Sequence, residues 1–262
     1  MSSYDIAAPS FDHHRALPDG VAPAIRAAVF ASIGDVRQPR LLDLGAGTGR
    51  IGWPFVAAGD DYVGVDLSLG MLRAFVARAE CGDLSARLAQ ADGQRLPFSD
   101  GTFDAVLLIQ VFGGMRRWRT VVTEAQRVLR RTGTLVTGRT VAPADGIDAQ
   151  MKQHLADLLD TMGVGRNQRN VHDEVRHWLG TAARRVTSVI AASWNTQRTP
   201  NGFLVRHRTG AQFAALPEPV KDEAMRRLEL WAAETFGSLD AVFSELHVFE
   251  LHSFKFAEEA GY

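Results

Sequence analysis

The chain has 262 residues, 46% apolar and 23% charged, which suits one domain with a sizeable core, or one with a large insertion. A formal net charge of -1 argues against a general nucleic-acid binder, which carries a clear positive excess. The one cysteine, Cys81, excludes an intrachain disulfide and fits a reducing compartment.

The first residues are polar and carry Tyr4, Phe11, Asp12, His13, His14 and Arg15, with no basic segment followed by an apolar run. No signal peptide is expected. Pro18-Asp19-Gly20 is a turn signal, and a helix is predicted from Pro23 to about Ile33. The first core strand, Leu41–Leu44, runs into a turn at Gly45, Gly47 and Gly49, followed by a helix over about 52–58. Strand, glycine turn and helix open a nucleotide-cofactor site in a doubly wound α/β fold. A second strand covers 61–66, then Ser68 is placed to cap a helix bearing Met71, Leu72, Phe75, Val76 and Ala79 at helical spacing.

Residues 87–91 read as a third strand ending at Asp92-Gly93. The near-continuous apolar strand 105–110 is one buried on both faces, as in a parallel sheet. It is also the longest apolar stretch, ending by Phe112, and is too short to span a bilayer, so a cytoplasmic protein with no membrane partner is expected. The spacing predicts a helix over 118–131 with Gly133 as its C′ residue, then a fifth strand over 134–139. Five alternating strand–helix units imply a parallel sheet with right-handed crossovers. Beyond Val141 the rhythm changes: helices are predicted over 147–162 and 171–183, Pro200-Asn201-Gly202 reads as a turn followed by a helix to about Ala215, and a further helix follows Pro219. Strands over 186–196 and 244–256 are read as completing the sheet.

Two glycine patterns overlap. Gly47 to Gly52 satisfies G-x-G-x-x-G, a dinucleotide signature, while Asp43 with Gly45, Gly47 and Gly49 satisfies D-x-G-x-G-x-G. The acid ending the first strand, the forty residues before it, and the acids Asp66 and Asp92 ending the next two strands favour the second. In these motifs, namely L-L-D-L-G-A-G-T-G-R (41–50), V-G-V-D-L-S (63–68), A-D-G-Q-R-L-P-F-S-D-G-T-F-D (91–104) and V-L-R-R-T-G-T-L-V (128–136), the chain resembles class I S-adenosylmethionine-dependent methyltransferases. It is most similar to the small-molecule branch of ubiquinone and menaquinone biosynthesis. The resemblance covers residues 38–140.

That resemblance implies an α/β fold: a doubly wound, mostly parallel seven-stranded sheet of the Rossmann-like methyltransferase type, with helical insertions forming a lid. Residues 1–35 would be an N-terminal helical segment closing over the cofactor, and 36–140 the cofactor-binding core. Residues 141–183 and 197–243 would be lid insertions, and 184–196 with 244–257 the closing strands. The implied cofactor is S-adenosyl-L-methionine and the partner a small-molecule methyl acceptor, with no nucleic acid, no metal, and a monomer or homodimer.

Asp66 is similar to the family's ribose-binding acid, and a carboxylate accepts both hydrogen bonds of a diol. Asp92 and Gly93 resemble the residues beside adenine. Gly45, Ala46, Gly47, Thr48 and Gly49 would bring backbone against the methionine portion. Asp43 resembles the acid near the ammonium group, Leu67 and Met71 would pack on ribose or adenine, and Gln110 would lie beside the methionine moiety. Arg15 would close over the cofactor. Many relatives carry a histidine pair after the fourth strand; here Gln110-Val111-Phe112 stands instead, so the catalytic base is unknown. His14 and His207 are weak candidates, with His13, His172 and His177 behind them. Arg139, Arg198, Arg206 and Arg208 are candidate anchors for an anionic acceptor. Two other functions compete: a non-catalytic S-adenosylmethionine-binding protein, and an NAD(P)-dependent oxidoreductase, which the acid pattern and a missing Tyr-x-x-x-Lys pair disfavour.

Overall fold

In the computed structural model the described residues are 17–113, 115, 117–164, 171–208 and 216–256. The expectations placed on Tyr4, Phe11, His13, His14 and Arg15 fall outside them. In chain order the elements are α1 (Val21–Ile33), β1 (Leu41–Leu44), α2 (Trp53–Ala57), β2 (Tyr62–Asp66), α3 (Leu69–Glu80), β3 (Arg87–Gln90), β4 (Phe103–Ile109), α4 (Trp118–Val128), β5 (Leu129–Val141), α5 (Ile147–Thr161), α6 (Val171–Ala182), β6 (Ala183–Arg198), α7 (Pro200–Arg208), α8 (Glu218–Phe236) and β7 (Phe243–Phe256). The seven strands form one mixed sheet in the order β3-β2-β1-β4-β5-β7-β6. The pairs β2–β3, β1–β2, β1–β4 and β4–β5 are parallel.

The chain divides into two compact units, Met1–Thr140 with Asn170–Ala192 and Phe249–Tyr262, and Val141–Arg169 with Ser193–Val248. In the first unit β1 is buried along its whole length and β4 nearly so, which is why both read as unbroken apolar runs. Helix α4 buries Trp118, Val121, Val122, Ala125 and Val128, a stripe at three- and four-residue spacing, in the same cluster as Leu42, Leu44, Val106 and Leu108. In the second unit Ile147, Met151 and Leu155 of α5 pack with Phe203 and Leu204 of α7 and with Ala224, Met225, Leu228 and Ala232 of α8. Among the described residues no helix is long and apolar enough to cross a membrane.

Three elements differ from the expectation. The helix predicted to Arg131 ends at Val128, and Gly133 is no helix cap but part of β5. Leu129 is already extended and pairs with Phe103, whereas Ala105 pairs with Thr134, so residues 130–133 bulge opposite Asp104. Arg130 donates to Asp104 there. Sheet pairing and the burial of Leu129 outweigh the good helix propensity of Leu129, Arg130 and Arg131. Helix α6, expected in a lid, groups with the sheet unit because Val175 and Leu179 enter its core and Trp178 packs edge-on to Trp118 at 5.8 Å. Pro200-Asn201-Gly202, expected as a turn before a helix, is instead the first turn of α7, closed by the Gly202 amide donating to Thr199 Oγ1 and the Phe203 amide to the Thr199 carbonyl; α7 ends at Arg208, and 209–215 lie outside the described residues.

Candidate functional site: the carboxyl edge of the parallel sheet

Strand β1 sits between β2 and β4, so the chain winds outward in opposite directions from it. At such a switch point the loops leaving adjacent strand ends diverge and open a crevice at the carboxyl edge. The glycine turn that follows β1 fills that place. Gly45 and Ala46 both donate their amides to the Val65 carbonyl, at 2.7 and 3.0 Å, which pins the turn to β2.

The glycines of the turn serve different ends. A Cβ on Gly49 would stand 2.2 Å from the Phe75 ring, so this glycine lets α3 pack beneath the turn. Among the described residues a Cβ on Gly47 (φ +57) would meet only the Gly45 carbonyl oxygen, at 3.8 Å. Bare backbone that no described side chain covers, at a switch point, is a place where a ligand can lie against the main chain.

Asp66, the last residue of β2, is aimed at this face. Its Oδ2 accepts the Gly47 amide at 2.9 Å and its Oδ1 the Ser68 amide at 2.8 Å. Ser68 Oγ in turn accepts the Met71 amide at the start of α3. A carboxylate accepts several hydrogen bonds at once; the Gly47 and Ser68 amides hold this one in a fixed orientation beside the turn. Asp92, one strand further out, is exposed and accepts the Gln94 amide at 2.9 Å, an Asx turn that presents Gly93 beside it. The carboxyl edge thus brings together the oriented Asp66 carboxylate, the exposed Asp92 and the bare backbone of the glycine turn.

Other expected residues sit differently. Asp43 is 3% exposed, and its Oδ2 accepts the Tyr62 hydroxyl at 2.6 Å, so its carboxyl faces the core and not a ligand's ammonium group. Burial lifts it to about 7, against the opposing pull of the Tyr62 hydrogen bond and with a further push from the Asp66 charge. Met71 is buried in the core at 2% exposure, while Leu67 is 61% exposed. Ala46 and Thr48 are buried within the turn.

Gln110, at the end of β4, has a left-handed backbone (φ +55) although it is not a glycine. Its amide donates to the Gly138 carbonyl at 2.8 Å, its Nε2 to Thr140 Oγ1 at 2.8 Å, and its Oε1 accepts Arg50 Nη2. Arg50 stands in the glycine motif and drew no expectation, because nothing in sequence ties it to a residue sixty positions on.

His14 and Arg15 lie outside the described residues. His207 stacks on Phe203 at 3.7 Å in the second unit, and burial lowers its pKa. Its Nδ1 lies 3.2 Å from the Phe203 carbonyl, which occupies that nitrogen structurally. His172, rated lower, meets Phe112 edge-on at 5.3 Å, two residues past Gln110; burial and the neighbouring Arg139 push it down to about 4. The arginines proposed as anchors have acidic neighbours: Arg139 faces Asp173 and Glu250, Arg198 and Arg206 face Asp148, and Arg208 faces Glu229. No cluster of three metal-ligating side chains occurs among the described residues.

Residues 42–137 match the family model described as a methyltransferase domain. The chain is similar to the malonyl-(acyl-carrier protein) O-methyltransferase of Geobacter sulfurreducens, at 31% identity over 192 residues, covering 70% of this chain and 68% of that protein. It is 33% identical over 144 residues to the demethylmenaquinone methyltransferase of Renibacterium salmoninarum, covering 55% of this chain and 59% of that one. The chain spans about half the length of several other curated relatives that it matches. Among solved structures, the fold is similar to Haemonchus contortus phosphoethanolamine N-methyltransferase 2 in complex with phosphomonomethylethanolamine and S-adenosylhomocysteine (TM-score 0.53, 14% identity, 97% of this chain and 58% of that one). With the motif order, the strand order and the clasped carboxylate at Gly47 pointing the same way, the chain belongs to the class I S-adenosylmethionine-dependent methyltransferases.

Proposed function

We propose that the protein transfers a methyl group from S-adenosyl-L-methionine to a small-molecule acceptor. The observation that carries this is Asp66, whose carboxylate is locked by the Gly47 and Ser68 amides at the open face of the glycine turn. Asp66 would accept the ribose hydroxyls, and Asp92 with Gly93 would lie beside the adenine. Gly47 would let the backbone approach the methionine portion, and the exposed Leu67 would cover the nucleoside. The bound cofactor supplies a sulfonium-activated methyl group, so the chain's own work is alignment and exclusion of water. His172 is uncharged at neutral pH, since burial pushes it down to about 4; among the described histidines it is the one in ring contact with the loop after β4.

The names of the curated relatives support an acceptor of low molecular weight or one presented on a carrier protein. The net charge of -1 supports an acceptor other than nucleic acid. A cytoplasmic protein acting as monomer or homodimer completes the reading.

Calorimetry with S-adenosylhomocysteine against NADH is the first test. Heat with the former alone is expected, and heat with NADH alone would replace the reading by an oxidoreductase. Asp66→Ala is expected to weaken S-adenosylhomocysteine by roughly ten- to a hundredfold, the loss of charge-assisted hydrogen bonds. Unchanged affinity would remove Asp66 from the site. Methyl transfer from labelled cofactor to candidate acceptors then separates an enzyme from a silent binding protein.

A further inference from the structure

The cofactor has one anionic group, the α-carboxylate of its methionine end, and no residue has yet been assigned to it. Given the ribose assignment to Asp66, the strand order points to where that end would lie. With the ribose at Asp66 on β2 and the adenine toward β3, the rest of the molecule must run over the glycine turn toward β4. What stands there is the guanidinium of Arg50, hydrogen-bonded to Gln110 at the end of β4.

The chemistry of that pair is directional. A guanidinium only donates, so Gln110 must turn Oε1 toward Arg50, and its Nε2 is left to donate to Thr140 Oγ1. The amide is thus held between β5 and the arginine, and cannot flip without breaking both bonds. The backbone adds to this. Gln110 sits at φ +55, a conformation that disfavours non-glycine residues, held by its amide bond to Gly138. Strain at the tip of a central strand, on a residue whose side chain orients a cation, is the mark of a positioned group. Next to it Val111 packs against Gly45, closing the gap between β4 and the turn.

We propose that Arg50 anchors the α-carboxylate of the cofactor, and that Gln110, braced by Thr140, is the positioning residue that holds the guanidinium at the methionine end of the site. This rests on the cofactor assignment above. Arginine suits the task because its planar fork meets both carboxylate oxygens at once.

The test compares two ligands by calorimetry on the full chain. S-Adenosylhomocysteine carries the carboxylate; 5′-methylthioadenosine has the same adenosine and thioether without the amino acid. The parent protein is expected to prefer the former. Arg50→Gln is expected to lower affinity for S-adenosylhomocysteine by roughly ten- to a hundredfold and leave 5′-methylthioadenosine unchanged. Arg50→Lys should retain part of the preference, since it keeps the charge and loses the fork. Gln110→Glu, which offers Arg50 an internal counter-charge, should lower the preference without loss for 5′-methylthioadenosine. Equal weakening of both ligands by Arg50→Gln would make its role structural and overturn the proposal. So would a parent protein that binds the two equally, which leaves the cofactor assignment standing. A parent that binds neither overturns both.

Discussion

Asp43 Oδ2 accepts the Tyr62 hydroxyl at 2.6 Å, and both side chains are closed off from solvent within the core. Burial is the main cause that raises Asp43 from 3.8 to about 7. The folded chain therefore binds this proton more tightly than the unfolded chain. Between about pH 4 and pH 7 the folded state holds more protons, so Asp43's contribution to stability is lost as pH rises through that window. Asp43→Asn keeps an oxygen for the Tyr62 hydroxyl and carries no charge. Urea unfolding is expected to show it more stable than the parent by about 1–3 kcal/mol at pH 8, with the advantage gone at pH 4. A constant difference across pH would place the proton elsewhere.

The glycine turn separates folding from binding. Gly49→Ala forces a Cβ into the Phe75 ring at φ +78, so a loss of about 3 kcal/mol is expected in denaturant unfolding. Gly47→Ala meets no described side chain and costs only its backbone strain, about 1 kcal/mol. Its methyl group would nonetheless occupy the face where the ligand lies. We expect Gly47→Ala to melt close to the parent while calorimetry shows at least about tenfold weaker S-adenosylhomocysteine. Parent-like affinity for Gly47→Ala would mean the ligand does not cross this face.

His172 responds to pH in the opposite sense to Asp43. Its folded pKa is pushed below the ordinary 6.5 to about 4, chiefly by burial and then by Arg139. The unfolded chain binds this proton more readily, so the stability contribution is present above about pH 6.5 and lost as pH falls toward 4. His172→Phe keeps a ring beside Phe112 and removes the titration. The difference from the parent is expected to be flat above pH 6.5 and to grow in favour of the variant by about 1–2 kcal/mol near pH 4.5, the partial exposure of the ring limiting it. An NMR titration placing His172 near 6.5 would contradict the burial on which this rests.

The amino-acid order alone determined the alternation of strands and helices to residue 140, because buried strands and amphipathic helices write their period into the chain. It also determined the turn at Gly45, Gly47 and Gly49 and the acids Asp66 and Asp92 at strand ends, since both are local features of three to six residues. Tertiary structure decided the rest. Leu129 left the helix because its partner Phe103 lies in another strand, and α6 joined the sheet unit because Trp118 and Val121 offered it an apolar face. Asp43 turned to Tyr62, nineteen residues away, and Arg50 to Gln110, sixty away. Local pattern shows which residues reach the strand tips; which side chains meet there depends on strand order and register, which no short stretch of sequence contains.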